Sequence, residues 1–89
     1  MTKVVNIYSI PEDWESDPDY AYIGRGSKWG NPWIIGNLTR REVIERYEAD
    51  LLDSALMDDL HELEGKFLVC HCAPLPCHGD IIVKWLKKQ

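Results

Sequence analysis

The chain has 89 residues, of which 45% are apolar and 28% are charged, and its formal net charge is −5. This length predicts one domain, residues 1–89, with a modest core, because so short a chain buries only about 60–65% of its unfolded surface. An acidic chain lacks the broad basic face that releases counterions from phosphates, which argues against general nucleic-acid binding. We see no apolar run that could span a bilayer and no basic-then-apolar leader, so we expect a soluble, cytoplasmic protein without membrane contacts.

The first part of the chain predicts two short strands with an acidic loop between them. Residues 3–9 are rich in β-branched and aromatic side chains and predict a strand, which Pro11 ends. Five carboxylates follow within residues 12–19 and predict a solvated loop. Residues 20–25 alternate between apolar and polar side chains, as in a second strand.

The middle of the chain predicts a change from strands to helices. Residues 33–35 favour a short strand, and Gly36 with its neighbour predicts a turn. Thr39 and the glutamate three residues later form a capping-box signature, and apolar residues then recur every three or four positions, which predicts a helix over 39–52. A second helix is predicted over 54–63.

The last part of the chain predicts a buried strand and a final helix. Gly65 suits a left-handed cap that ends the preceding helix. The continuous apolar run KFLVCHC is typical of a strand covered on both faces in a parallel sheet. A helix is predicted from about residues 78–80, with an apolar stripe formed by Ile81, Ile82, Trp85 and Leu86. The predicted fold is α/β, a small Rossmann-like domain with a short, mostly parallel sheet and about three helices.

Nine residues, Cys70 to His78, contain all three cysteines and two of the three histidines of the chain. One hypothesis is a zinc-stabilised interaction module, with Cys70, Cys72, Cys77 and His78 as ligands. The C-x-C spacing on a strand differs from the usual C-x-x-C zinc knuckle. Cys77 as a nucleophile at a helix start is a second hypothesis. A third is that Cys70 and Cys72 belong to the core, because free cysteine is among the most buried residue types.

The loop APLPCHGD, which joins this strand to the last helix, is a candidate binding site. Open α/β sheets bind ligands beyond the carboxyl ends of their strands, and free N–H groups at a helix start favour an anion. Asp80 is placed to cap the same helix and would then compete with an anion. The predicted ligand-binding residues of this loop are Pro76, Cys77, His78 and Gly79.

The glycine-rich loop GRGSKWGNP is the second half of the predicted site. It presents Arg25 and Lys28 among small residues that allow close approach of the backbone. The alternative is that the glycines form turns, the tryptophans fill the core and the cations are solvated. The loop matches neither the dinucleotide fingerprint nor the Walker loop, and we predict no cofactor. The predicted ligand-binding residues here are Gly24, Arg25, Gly26, Ser27, Lys28, Trp29 and Asn31.

Three segments, YIGRGSKWGNPW, TRREVIERY and GKFLVCHCAPLPCHGDIIVKWL, together resemble a small family of phage and bacterial proteins known only as a domain of unknown function. The family is marked by a G-R-x-S-x-W-G-N-P segment and a C-x-C-A-P-x-x-C-H-x-D segment. The resemblance covers most of residues 22–86 and implies no activity. A more distant likeness to a Rossmann-like group with a C-H-R turn implies nucleotide binding only by analogy of fold.

These observations predict a pocket, between the glycine-rich loop and the Pro-Cys-His loop, that binds a nucleotide or related phosphorylated small molecule. Arg25 and Lys28 would contact phosphate and Trp29 would stack on a ring. A phage protein could use such a pocket to sequester a signalling nucleotide. The alternative is an enzyme acting on the glycosidic or phosphate bond of a nucleotide or nucleoside, with His78, Asp80 or Cys77 as its catalytic group. The chain has four tryptophans in 89 residues, and one of them could be buried in the interface of a homodimer.

Overall fold

The fold is described by a computed structural model for residues 2–33, 36, 38–73 and 75–88. Its strands and helices, in chain order, are β1 (Lys3–Asn6), β2 (Tyr20–Tyr22), α1 (Arg40–Leu52), α2 (Leu56–Asp59), β3 (Phe67–Cys70) and α3 (His78–Lys87). Short 3-10 turns lie at Ile7–Ser9, Trp14–Ser16 and Leu60–Leu63. The described residues thus form three strands and three helices, which confirms the predicted α/β class. The short strand predicted at 33–35 and the turn predicted at 36–37 fall partly on residues outside this description.

The three strands form one parallel sheet in the order β1-β3-β2. The central strand β3 places Val69 opposite Val5 on one side and opposite Tyr22 on the other. Leu68, Val69 and Cys70 are buried, as expected for a strand with neighbours on both sides. Because all strands run the same way, their carboxyl ends meet at one edge of the sheet.

Helix α1 begins at the position that the capping-box sequence predicted. The Thr39 hydroxyl accepts the Glu42 backbone N–H at 3.2 Å, and the Glu42 carboxylate accepts the Thr39 N–H at 3.0 Å. The helix then buries Val43, Tyr47 and Leu51. This confirms the prediction of a helix over 39–52, since both its start and its apolar face follow from local sequence.

The helix predicted over 54–63 is shorter and tighter than expected. Regular α-helix is limited to α2, and the chain continues as a 3-10 turn over Leu60–Leu63. In a 3-10 turn, residues three apart lie above one another, so Leu60 and Leu63 are both buried on the same side. Gly65 then adopts φ +76°, the left-handed conformation that the sequence predicted there.

Helix α3 packs on β1 and α1 and sets the geometry of the site. Ile82 and Leu86 are buried, while Ile81 and Trp85 are partly buried. The start of α3 lies close to the side chains of Ile23 and Val4, and this close contact requires Gly79. A Cβ at residue 79 would lie 2.8 Å from Ile23 Cδ1 and 2.9 Å from the nearest Val4 methyl. No helix in the described part of the chain is long and apolar enough to cross a membrane.

Candidate functional site

A cleft of about 380 Å³ opens at the edge where β2 and β3 end and α3 begins. The end of β2 and the glycine-rich loop contribute Tyr22, Gly24, Arg25 and Asn31. Helix α1 contributes Arg40, Val43 and Ile44, and Trp33 lies before this helix in the chain and also lines the cleft. The segment from β3 to α3 contributes Cys70, His71, Cys72, Pro76, Cys77 and His78. The two segments singled out by sequence therefore line one opening, at the edge where parallel α/β sheets bind their ligands.

The charge of the cleft is opposite to the charge of the chain. Arg25 and Arg40 line it, whereas none of the 15 Asp and Glu residues does so among the described residues. The Arg40 guanidinium also donates to the Pro76 carbonyl oxygen at 3.0 Å, which links the start of α1 to the loop before α3. The cleft is therefore a locally basic site on an acidic protein.

Aromatic rings surround this basic opening. The ring of His71 lies edge-on to those of Tyr22 and Tyr8, with centroid distances of 6.2 and 5.8 Å. Trp33 is held by a hydrogen bond from its indole N–H to Asp50 at 2.7 Å, and the Arg46 guanidinium lies 4.8 Å from its ring centroid. Such rings offer flat apolar faces to a planar ligand group.

Several residues of the glycine-rich loop lie away from the cleft. The Lys28 ammonium pairs with Glu62 at 2.9 Å and with Asp59 at 3.3 Å, both on the α2 side of the molecule. Trp29 is only 5% exposed and packs in the core, where the Tyr47 hydroxyl donates to its carbonyl oxygen at 2.8 Å. The phosphate role predicted for Lys28 and the stacking role predicted for Trp29 therefore find no support in their positions.

Two other predicted residues form hydrogen bonds within the protein, and two predicted glycines lie outside the cleft lining. The Ser27 hydroxyl donates to the Gly24 carbonyl oxygen at 2.6 Å, which closes the loop turn. Asn31 lines the cleft, but its amide accepts the Trp33 N–H at 3.0 Å and donates to the Val43 carbonyl oxygen at 3.4 Å. Gly26 and Gly79 are not among the lining residues either. Asn31 and Ser27 thus shape the site from within the protein.

His78 lines the cleft, but its ring is committed to the fold. Its Nε2–H donates to the Ile23 carbonyl oxygen at 2.6 Å, and its ring lies 4.9 Å from that of Tyr47. Burial lowers the pKa of His78, and the ring is therefore neutral at pH 7. His78 joins the end of β2 to the start of α3.

Asp80 serves as the cap of α3 rather than as a wall of the cleft. Its carboxylate accepts the Cys77 backbone N–H at 3.0 Å. One of the N–H groups at this helix start therefore already has a carboxylate partner. This position is compatible with the prediction that Asp80 competes with an anion there.

Cys70 and Cys77 form a close thiol pair in the buried wall of the cleft, with 3.6 Å between the sulfur atoms. The contact with the Cys77 sulfur lowers the pKa of Cys70, assisted by the backbone N–H groups of Ala73 and Cys72. The same pairing, together with burial, raises the pKa of Cys77. The two thiols therefore titrate as a coupled pair, in which Cys70 loses its proton more readily than Cys77.

The zinc hypothesis can be compared with the positions of its four residues. Among the described residues, no three His, Cys, Asp or Glu side chains form a group that could hold a metal ion. His78 in addition gives its Nε2 to the Ile23 carbonyl group. The geometry offers no support for a site made of Cys70, Cys72, Cys77 and His78.

Sequence reasoning missed several cleft residues, of which Arg40 is the most informative. Arg40 and Arg41 open helix α1, where cations oppose the helix dipole. This departure from the usual charge pattern was a signal that a cation there has another purpose. Tyr22 and His71 could have been found by the rule that the residues at the carboxyl ends of parallel strands face a common opening.

The fold and the cleft define a small parallel α/β domain with a basic, aromatic-lined site at the carboxyl edge of its sheet. The chain belongs to the family described as domain of unknown function DUF4326, whose model matches residues 8–88. The family predicted from the two motif segments is therefore confirmed.

Two viral relatives are similar to the chain. It is 36% identical over 87 residues to an uncharacterized 12.4 kDa protein in the nrdA-td intergenic region of Enterobacteria phage T4, covering 92% of this chain and 74% of the relative. It is 29% identical over 86 residues to an uncharacterized protein of Acanthamoeba polyphaga mimivirus, covering 75% of this chain and 66% of the relative. No solved structure shows significant similarity to the chain.

Proposed function

We propose that the cleft binds a nucleotide or a related phosphorylated small molecule. The observation that carries this proposal is the presence of both Arg25 and Arg40 in a lining that, among the described residues, includes no carboxylate. Two arginines from distant segments provide planar donors that match phosphate oxygens in geometry and charge. In a chain of net charge −5, a basic cleft of this kind favours a local anionic ligand over a long nucleic acid.

The size and the aromatic rings of the cleft narrow the class of ligand. A volume of about 380 Å³ lies at the lower end of the usual range for small-molecule sites, which suits a mononucleotide. Tyr22, Trp33 and His71 supply the apolar faces for a base, a role that Trp29 cannot perform from the core. Arg40 would contact the phosphate. Lys28, for which this role was predicted, lies away from the cleft and pairs with carboxylates.

Binding without turnover fits the geometry better than catalysis by the candidate catalytic residues. The His78 ring is bonded to the Ile23 carbonyl group, and the Asp80 carboxylate is bonded to the Cys77 N–H. The Cys77 thiol keeps its proton because pairing and burial raise its pKa. We therefore favour a binding protein of the cytoplasm, where reduced thiols persist, with sequestration of a nucleotide as its use.

Thermal denaturation with a panel of nucleotides tests the proposal. A ligand at about 100 times its dissociation constant stabilises the folded state by roughly 2.7 kcal/mol. We expect Arg25→Ala and Arg40→Ala each to weaken the binding of that nucleotide by roughly 10- to 100-fold, since a hydrogen bond to a charged group contributes about 1.5–3 kcal/mol.

Lys28→Ala is the matched control, because it removes the same charge at a distance from the cleft. We expect it to bind the nucleotide with unchanged affinity. Equal weakening by Lys28→Ala, or full affinity in both arginine variants, would show that the cleft is not the site. Chromatography of the recovered ligand separates the two classes of function, since a binder returns intact nucleotide and an enzyme returns product.

A further inference from the structure

The thiol pair in the buried wall of the cleft has a geometry that the binding proposal does not use. Cys70 is the last residue of β3 and Cys77 is the residue before α3, so the two sulfur atoms are held by separate elements. Both residues are buried, and the sulfur atoms lie 3.6 Å apart. A disulfide bond is about 2.05 Å long, so an approach of about 1.5 Å would join them.

The two thiols are chemically unequal. The contact with the Cys77 sulfur and the backbone N–H groups of the loop that follows lower the pKa of Cys70, so they favour its thiolate. Cys77 keeps its proton at neutral pH. A stabilised thiolate beside a protonated thiol is the arrangement in which one sulfur attacks an oxidant and the other resolves the product.

We propose that Cys70 and Cys77 form a redox-active dithiol, which a peroxide converts to an intramolecular disulfide. The Cys70 thiolate attacks one oxygen of hydrogen peroxide, the O–O bond breaks, and the leaving hydroxide takes a proton to become water. Cys70 is then a sulfenic acid. The Cys77 sulfur attacks the Cys70 sulfur, the S–O bond breaks, and the departing hydroxide leaves with the thiol proton as a second water. Two thiols are oxidised and one peroxide is reduced.

The cleft supplies the access that this chemistry needs. Both cysteines line it, so a small oxidant can reach them although little of either residue is exposed. Cys72 also lines the cleft and is only partly buried, but it has no sulfur partner at bonding distance within the described residues. Cys72 is therefore the matched control, a nearby thiol outside the pair.

Oxidation of the reduced 89-residue chain with hydrogen peroxide tests the proposal. We expect the number of thiols that react with a thiol reagent to fall from three to one, with no covalent dimer in non-reducing electrophoresis. Trypsin releases residues 67–84 as one peptide that carries all three cysteines, and its mass should fall by two hydrogen atoms.

Single variants identify the bonded pair. In Cys72→Ser both remaining thiols should disappear, and the same peptide should still lose two hydrogens. This variant tests the bond between Cys70 and Cys77 without altering either residue. Cys70→Ser and Cys77→Ser should form no disulfide within the chain. Retention of both thiols in oxidised Cys72→Ser, cross-links only between chains, or no oxidation at all would each overturn the proposal.

Discussion

The glycine-rich loop and the cysteine-histidine segment carry equally specific motifs, yet they contribute to the cleft in different ways. The loop directs its most prominent side chains elsewhere, Trp29 into the core and Lys28 towards α2. The segment from Cys70 to His78 leads from a strand end to a helix start, and most of its described residues line the opening. A loop that closes on itself through turns uses most of its side chains for its own packing and leaves Arg25 as its cation in the cleft, whereas a strand-to-helix junction presents most of its residues to one cavity.

The largest effect that we expect from this comparison is the loss of stability in Trp29→Ala. Trp29 is 5% exposed and belongs to the main hydrophobic cluster, and truncation of a buried tryptophan costs about 3–5 kcal/mol. Urea denaturation monitored by circular dichroism measures the free energy of unfolding. Trp33→Ala is the matched control and should cost much less, since Trp33 is only partly buried. A larger loss in Trp33→Ala would reverse the roles assigned to the two tryptophans.

A smaller effect is expected from the cysteine-histidine segment, and it depends on pH. Burial lowers the pKa of His78 below the unfolded value of 6.5, so below about pH 6.5 the unfolded chain binds more protons than the folded one. Stability should therefore fall as the pH decreases from 6.5 towards the folded pKa, by at most about 1.4 kcal/mol per pH unit for this one proton.

The variant His78→Gln isolates this contribution. Glutamine keeps an N–H donor for the Ile23 carbonyl group but does not titrate, so its stability should fall less steeply between pH 7 and pH 5. In the parent, Cys70 and Asp80 act in the opposite direction on the pKa of His78, but burial has the larger effect. His61→Gln, which changes an exposed histidine, should retain the slope of the parent. Parallel curves for His78→Gln and the parent would contradict a buried neutral imidazole.

Most of the fold could be predicted because its signals are local. The Thr39 capping box marks the start of α1, and the apolar runs around Leu68 and Ile82 mark β3 and α3. The helix over 54–63 was wrong in form, since its leucines satisfy a 3-10 turn as well as an α-helix.

The site was harder to predict, because contacts between distant segments leave little trace in the local sequence. That two motif segments line one cleft follows from the rule for parallel strands. The rule does not say which tryptophan faces the cleft. Trp29 and Trp33 are the same residue type four positions apart, yet Trp29 belongs to the core cluster and Trp33 lines the cleft. Arg40 contacts Pro76, which lies 36 positions away in the sequence, and such a contact cannot be read from local sequence.

The smallest effect should come from Lys28→Ala, which completes the comparison from the side of the loop. Lys28 pairs with Asp59 and Glu62, but about 45% of its side chain is exposed, as are 43% and 46% of its partners. Water screens such pairs, and the entropy cost of holding three side chains offsets the remaining attraction. We therefore expect a free energy of unfolding within error of the parent in urea denaturation. A loss of stability approaching that of Trp29→Ala would mean that the ion pairs, and not the buried indole, anchor the loop.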